Sequence, residues 1–158
     1  RTVLQDRLIL ENMMLFADPT SLRQVFISLI KNACDAMNDK GQIQTIVQVI
    51  KPNAKETQLI KNSLNDKTAE FTSHYVKISI KDNGAGMTKD VQEQIFTPLF
   101  TTKEEGEGTG LGLAATYGIL KDHSGAITFH SEVGTGTEFI IYLPLFTKEF
   151  EEENQIIE

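Results

Sequence analysis

Gly106-Glu107-Gly108-Thr109-Gly110-Leu111-Gly112-Leu113 puts a glycine at every second position and runs directly into Ala114–Asp122, a stretch suited to a helix. A bare backbone feeding a helix N-terminus gathers several N–H groups and a partial positive charge at one point. Such a point binds anions, and phosphate is the usual one. A flexible glycine loop without a ligand is the alternative reading of these eight residues taken alone. The stretches around them decide between the two.

Upstream, Asp18-Pro19 reads as a helix start, with Asp18 as N-cap and Pro19 in the first helical position. The helix is expected to reach Met37, with Leu22, Val25, Phe26, Leu29, Ile30, Ala33 and Met37 on its apolar face. Ser28, Asn32 and Asp35 fall at i, i+4 and i+7 and share a polar stripe. Met13–Ala17, Ile43–Ile50, Val76–Asp82, Ala126–Ser131 and Thr137–Leu143 read as strands, the last two joined by a glycine-bearing hairpin turn. Thr88–Phe96 reads as a short helix capped by Thr88, and a further helix is expected over about Gly110–His123. Residues 51–75 are polar, weakly patterned and long for a connection, so an exposed or partly mobile insertion is expected there. The pattern predicts an α/β (α+β) two-layer sandwich. Its mixed or antiparallel sheet has about five strands, covered on one face by about three helices.

The chain has 158 residues, 40% of them hydrophobic, which suits one globular domain with a core of its own. It begins at Arg1 and reads as an excised piece of something longer, with no visible signal peptide. A single cysteine, Cys34, excludes an internal disulfide and reads as a buried, inert thiol in a cytosolic protein. The net charge is −7, and residues 145–158 form an acidic tail or linker after a domain spanning 1–144. An acidic chain with no basic run is a poor nucleic-acid binder.

Two further stretches carry chemistry. Asp82-Asn83-Gly84-Ala85-Gly86-Met87 follows a strand, and its glycines permit a tight turn and close approach of a flat ligand. Asp82 can accept a hydrogen bond from an exocyclic amino group such as that of adenine; an ordinary Asp-Asn-Gly turn is the alternative. Lys89 stands where a dinucleotide fingerprint needs its third glycine, and no Gly-Lys-Ser/Thr ends the later loop. Asn32 is a poor helix former in mid-helix. Alone it reads as an exposed or locally satisfied amide. Beside a phosphate loop it reads as an oxygen ligand for Mg²⁺, which takes one or two protein oxygens together with phosphates and water.

In order, Asn32-Ala33-Cys34-Asp35-Ala36, Asp82-Asn83-Gly84-Ala85-Gly86, Phe96-Thr97-Pro98-Leu99-Phe100-Thr101-Thr102-Lys103, Gly108-Thr109-Gly110-Leu111-Gly112-Leu113 and Gly134-Thr135-Gly136-Thr137 resemble the N, G1, F, G2 and G3 boxes of sensor histidine kinases. The likeness covers roughly Asp18 to Leu143, and the wording of the N and F boxes resembles the nitrogen-regulation type. The wider superfamily includes gyrase, mismatch-repair and chaperone ATPases.

The resemblance implies a catalytic ATP-binding domain with ATP and Mg²⁺ as its cofactors. Asp82 would bind the adenine amino group, supported by Thr137 through water, with Gly84 and Gly86 lining the pocket. Asn32 would hold Mg²⁺, and Asp35 would orient Asn32 or a metal-bound water. Gly108, Thr109, Gly110, Leu111, Gly112 and Leu113 would meet the phosphates. Residues 88–110 would form a lid anchored by Phe96 and Phe100, with Thr101 to Gly108 mobile before nucleotide binds. Thr101, Thr102 and above all Lys103 would reach the γ-phosphate, and Asn32 and Lys103 would carry catalysis. The acceptor would be a histidine on a separate dimerisation domain, with a response regulator downstream.

The domain itself would be monomeric when isolated, cytoplasmic, and without direct contact to membrane or nucleic acid, whether or not its parent is membrane-anchored. His74, His123 and His130 are not followed by an acidic residue, so none has the acceptor's context. His123 is expected near a helix C-terminus, where a charged imidazole is favoured. Many family members carry Asn or Glu one turn before the Mg²⁺-binding Asn; here the position is Ser28, a weak base. That favours phosphotransfer over a clamp-type ATPase; the Phe96–Lys103 box argues against an anti-sigma-type serine kinase, and the intact set of boxes against a non-catalytic nucleotide-binding module.

Overall fold

Strand β5, Gly136–Thr147, is the spine of the fold, and its alternation assigns residues to two faces. Phe139, Ile141 and Leu143 point to one layer; Ile140 and Tyr142 point to the other. The computed structural model describes residues 13–38, 40–64, 72–103 and 108–147. In chain order these form β1 (Met13–Met14), α1 (Pro19–Ala36), β2 (Ile43–Ile50), α2 (Ala54–Ser63), β3 (His74–Asp82), α3 (Lys89–Gln92), α4 (Gly112–Asp122), β4 (Ala126–Glu132) and β5. The sheet order is β1-β5-β3-β2 with β4 also paired to β5, and every pairing is antiparallel. The expected five-stranded sandwich is present.

The main core lies between the sheet and the helices that carry the glycine motifs. Ile78, Ile80, Ile127, Phe139, Ile141 and Leu143 from the sheet meet Val25 and Leu29 of α1, Leu120 of α4 and Ile95. Val25, Leu29 and Ala33 recur every four residues and are buried, and Ser28, Asn32 and Asp35 run along the flank of that stripe, the first two half-buried and Asp35 exposed. Asp18 caps α1 as expected, accepting from the Ser21 N–H at 2.8 Å with Pro19 in the first turn. Ile30 departs from the expected apolar face: it is 44% exposed, because the buried stripe is narrower than the apolar pattern. Cys34 is free and half-buried rather than buried.

The largest departure is in the insertion. Residues 54–63 form helix α2, packed on the sheet face that α1 and α4 leave uncovered. Its N-terminus is a capping box: Asn53 Oδ1 accepts the Glu56 N–H and Glu56 Oε2 accepts the Asn53 N–H, each at 3.0 Å. Ile60 is fully buried against Tyr75, Ala126, Ile140 and Tyr142. The other oxygen of Glu56 takes the Lys77 ammonium at 2.8 Å and the Tyr142 hydroxyl at 3.4 Å. Residues 65–71 of the insertion lie outside the described residues.

Burial works to raise the Glu56 carboxyl, but the hydrogen bonds from Lys77 and Asn53 outweigh it and hold the group below its ordinary value. The Lys77 ammonium is held above its ordinary value, foremost by its bond to Glu56. A depressed carboxyl stabilises the fold above its unfolded value, about 4.3, and loses that as pH falls through the folded value. A raised ammonium stabilises below its unfolded value, about 10.4, and loses that as pH rises through the folded value. Glu56→Gln keeps a capping-box acceptor but removes the ion pair. It is therefore expected to melt lower than the wild type by roughly 1 kcal/mol between these limits. The gap should close at both extremes; thermal melts across pH that show a constant gap would contradict the clasp.

Other boundaries move. Thr88 precedes α3 without a side-chain capping bond, and the helix gives way to turns after Gln92 rather than reaching Phe96. β5 runs past its expected end at Leu143 to Thr147, pairing Phe146 and Thr147 with Met14 and Met13. Leu145 is buried and the Phe146 ring lies 5.4 Å from Phe16. Only Met13–Met14 of the expected first strand is extended into the sheet, and residues 148–158 lie outside the described set. His123 closes α4, but its Nε2 accepts the Asp18 N–H at 3.0 Å while Nδ1 faces the Ile119 carbonyl at 2.7 Å. Only a neutral ring with its proton on Nδ1 satisfies both, so the expected charged form is not the one this geometry holds.

Candidate nucleotide site

β3 ends in a buried carboxylate. Asp82 is 4% exposed, and its Oδ1 accepts the Gly84 N–H at 2.9 Å and the Thr137 N–H at 3.2 Å. Oδ2 takes no hydrogen bond from any described residue. Thr137 is buried beside it on β5, with its hydroxyl 2.8 Å from that of Ser131, which also accepts the Met87 N–H at 2.9 Å. Ser131 thus ties the end of the Gly84–Met87 turn to the β4–β5 hairpin. It was not singled out from sequence, because its partner lies 44 residues away and no local pattern marks it.

The turn itself is clamped from two sides. The Ala85 N–H donates to the Ala36 carbonyl at the end of α1 at 2.9 Å, and Gly84 passes so close that an added Cβ would stand 2.7 Å from that oxygen. On the other side Ala85 accepts from the Gly134 N–H at 2.8 Å. Gly86 has φ +68° and an added Cβ would lie 2.0 Å from the Glu132 carbonyl, so both conformation and space demand glycine. Asp82 is thereby fixed between α1 and the hairpin.

Asn32 is half-buried on α1, and its side chain makes no hydrogen bond with a described residue. One turn earlier, Ser28 meets the start of α4: an added Cβ on Gly112 would stand 2.8 Å from Ser28 Oγ. Asp35, expected to orient Asn32 or a metal-bound water, pairs with the Lys103 ammonium. No group of three or more His, Cys, Asp or Glu among the described residues could hold a metal by itself. A lone amide oxygen one turn from Ser28, which meets the uncapped start of a helix, does fit Mg²⁺, an ion that takes one or two protein oxygens and draws the rest of its shell from anions and water.

α4 opens at Gly112 with Leu111 as N-cap and no side-chain cap. Its first intrahelical bond runs from Ala115 N–H to the Leu111 carbonyl at 2.8 Å, so the N–H groups of Gly112, Leu113 and Ala114 have no partner within the helix. Thr109 Oγ1 accepts the Leu111 N–H at 3.3 Å. Gly110 has φ +64° and accepts the Leu99 N–H at 2.9 Å; an added Cβ there would lie 2.4 Å from the Leu99 carbonyl carbon. Gly108 passes over Thr101 Oγ1 and the Lys103 stem, and Thr101 Oγ1 accepts the Lys103 N–H at 3.1 Å. Thr101 and Thr102 are exposed. The Phe96 ring packs 5.4 Å from Tyr117 and 6.0 Å from Phe129, and Phe100 packs against the main core. Both rings are therefore seated against the main core. Residues 104–107, the centre of the expected mobile stretch, lie outside the described residues.

Two clefts lie elsewhere, one of about 300 Å³ on the α2 side of the sheet around Lys77, Ser79, His130 and Glu138, the other of about 430 Å³ around Phe16, His123 and Phe146. Neither reaches Asp82, Asn32 or the start of α4. Converging N–H groups, a half-free buried carboxylate and an unpaired amide oxygen define the site more firmly than concavity does.

Residues 17–147 match the family described as histidine kinase-, DNA gyrase B-, and HSP90-like ATPase. The chain belongs to that ATPase family. Within it, the chain is 44% identical over 133 residues to the sensor kinase CckA of Brucella abortus (strain 2308), covering 84% of this chain and 13% of that protein. It thus spans only a small part of the curated relatives it matches. The catalytic domain of histidine kinase ThkA is 30% identical with a TM-score of 0.57, the likeness covering 81% of this chain and 68% of that one. Full-length ShkA, solved in complex with AMPPNP, is 25% identical with a TM-score of 0.61, over 84% of this chain and 23% of that one. The domain is of the histidine-kinase catalytic type, and no helix among its described residues is long and apolar enough to cross a membrane.

Proposed function

We propose that this domain binds Mg·ATP and passes the γ-phosphoryl group to a histidine on a separate phosphoacceptor domain of a cytoplasmic two-component kinase, with a response regulator downstream. The observation that carries this reading is Asp82: a buried carboxylate with one oxygen held by two backbone N–H groups and the other left to a ligand. Oδ2 would accept from the adenine amino group, with Thr137 assisting through water and Gly84 and Gly86 flanking the ring. Guanine presents an oxygen where adenine presents that amino group, so the site would reject it.

The free N–H groups at the start of α4, together with the backbone from Gly108 to Leu113, would receive the phosphates. Asn32 would hold Mg²⁺, which when bound with ATP would neutralise charge on the phosphates. Lys103, with Thr101 and Thr102 beside it, would meet the γ-phosphate. Transfer needs little covalent chemistry from the protein beyond positioning and charge neutralisation. Ser28 supplies no base to activate water, which favours transfer over hydrolysis. The AMPPNP held by ShkA supports an ATP-shaped site. The wording of Asn32–Ala36 and Phe96–Lys103 supports the nitrogen-regulation subtype.

Calorimetry tests the binding step. ATP and ADP are expected to bind this chain, and GTP at least tenfold more weakly; equal affinities for ATP and GTP would remove Asp82 from the adenine pocket.

A further inference from the structure

Lys103 does not stand free in this structure. Its ammonium pairs with Asp35, one turn beyond Asn32 on the same stripe of α1. Residues three apart on a helix are neighbours, about 5–6 Å between Cβ atoms. The Lys103 ammonium is therefore parked beside the amide read as the Mg²⁺ ligand. Its stem is held under Gly108, and its backbone N–H is held by Thr101 Oγ1. From Gly108 the chain leads through Thr109 and Gly110 to the uncapped start of α4. The cation stands next to the phosphate loop yet is committed to a carboxylate.

We propose that Asp35 is the resting counter-ion of Lys103, which only a γ-phosphate displaces, and that Asp35 thereby sets the preference of the site for ATP over ADP. This deepens the reading given above and rests on it. The pair is suited to exchange, since its side chains are 30% and 38% exposed and such pairs are weak. A γ-phosphate offers more negative charge and several acceptor oxygens to the same ammonium. ADP lacks that group and leaves the pair intact. A binding-competent form that is only partly populated weakens apparent affinity by its population, so the pair acts against ATP and not against ADP. Asp35 is a positioning residue here, acting through Lys103.

The test is the ratio of affinities for a non-hydrolysable ATP analogue and for ADP, by calorimetry. Asp35→Asn is expected to raise the preference for the analogue roughly two- to fivefold, the range an exposed ion pair commands. Asp35→Glu should restore the wild-type ratio. In a Lys103→Ala background the same Asp35→Asn change should leave the ratio unmoved, which separates this role from a general loss of negative charge near phosphate. An unchanged ratio in Asp35→Asn, a lowered one, or an equal rise in the Lys103→Ala background would overturn the proposal. A lowered ratio would return Asp35 to the support of Asn32. If the wild type bound neither nucleotide, the nucleotide reading itself would fail. Hydrogen exchange without nucleotide would still judge the pair: the Lys103 amide should exchange faster in Asp35→Asn, and unchanged exchange would overturn it.

Discussion

Asn32→Ala is expected to lower phosphotransfer to the partner histidine by on the order of 10²–10³-fold, the scale of losing one preorganised group that stabilises transition-state charge. The fold should survive. The Asn32 side chain is half-buried and makes no hydrogen bond with a described residue, so its removal strands no donor or acceptor. α1 is held by Val25, Leu29 and Ala33, which the change does not touch. Alanine is the better helix former by up to about 0.7 kcal/mol, so the melting temperature should hold or rise. Transfer rates measured over a Mg²⁺ titration, with melts alongside, test this directly. Wild-type transfer by the variant would remove Asn32 from the site.

Asp82→Ala should weaken ATP binding ten- to a hundredfold, since a charged acceptor contributes about 1.5–3 kcal/mol. Alanine also strands the Gly84 and Thr137 N–H groups that Oδ1 satisfies, so part of the loss will come from a loosened turn. Asp82→Asn separates the two. Its carbonyl oxygen can keep both N–H groups, while its amide nitrogen replaces the oxygen left to the adenine amino group. The expected result is a melt close to the wild type, ATP binding weakened as in Asp82→Ala, and the ATP-to-GTP preference shifted toward GTP, whose base oxygen can accept from the new amide. An unshifted preference in Asp82→Asn would contradict the assignment.

The parts of the site legible in the sequence are those whose reason is local. Asp18-Pro19 fixes a helix start by its own chemistry, and the alternation in Val76–Asp82 marks a strand with two unlike faces. Gly86 and Gly110 announce backbone that only glycine adopts readily, and both have positive φ. What stayed hidden depends on pairings between distant residues. Ser131 reaches Met87, and Lys103 reaches Asp35 across 68 positions; nothing in either neighbourhood encodes the partner. Helix α2 was missed for another reason. Its buried stripe is short, centred on Ile60, and too weak to show a period, although Asn53 and Glu56 spelled a capping box. β5 outran its expected end at Leu143. In the structure Leu145 is buried beyond it, and Phe146 and Thr147 continue the pairing with β1.

The division of labour between this domain and its acceptor is tested most directly by following the phosphoryl group. None of the three histidines has the acceptor's sequence context, and His123 is already engaged at both ring nitrogens. Incubation with γ-labelled ATP and Mg²⁺ should leave this chain unlabelled and release little phosphate. Adding the separately expressed helical domain of the parent protein, bearing a histidine followed by an acidic residue, should place acid-labile label on that partner. Stable acid-labile label on this chain would contradict the account and make His74, His123 or His130 the acceptor; rapid phosphate release without label would make the domain an ATPase.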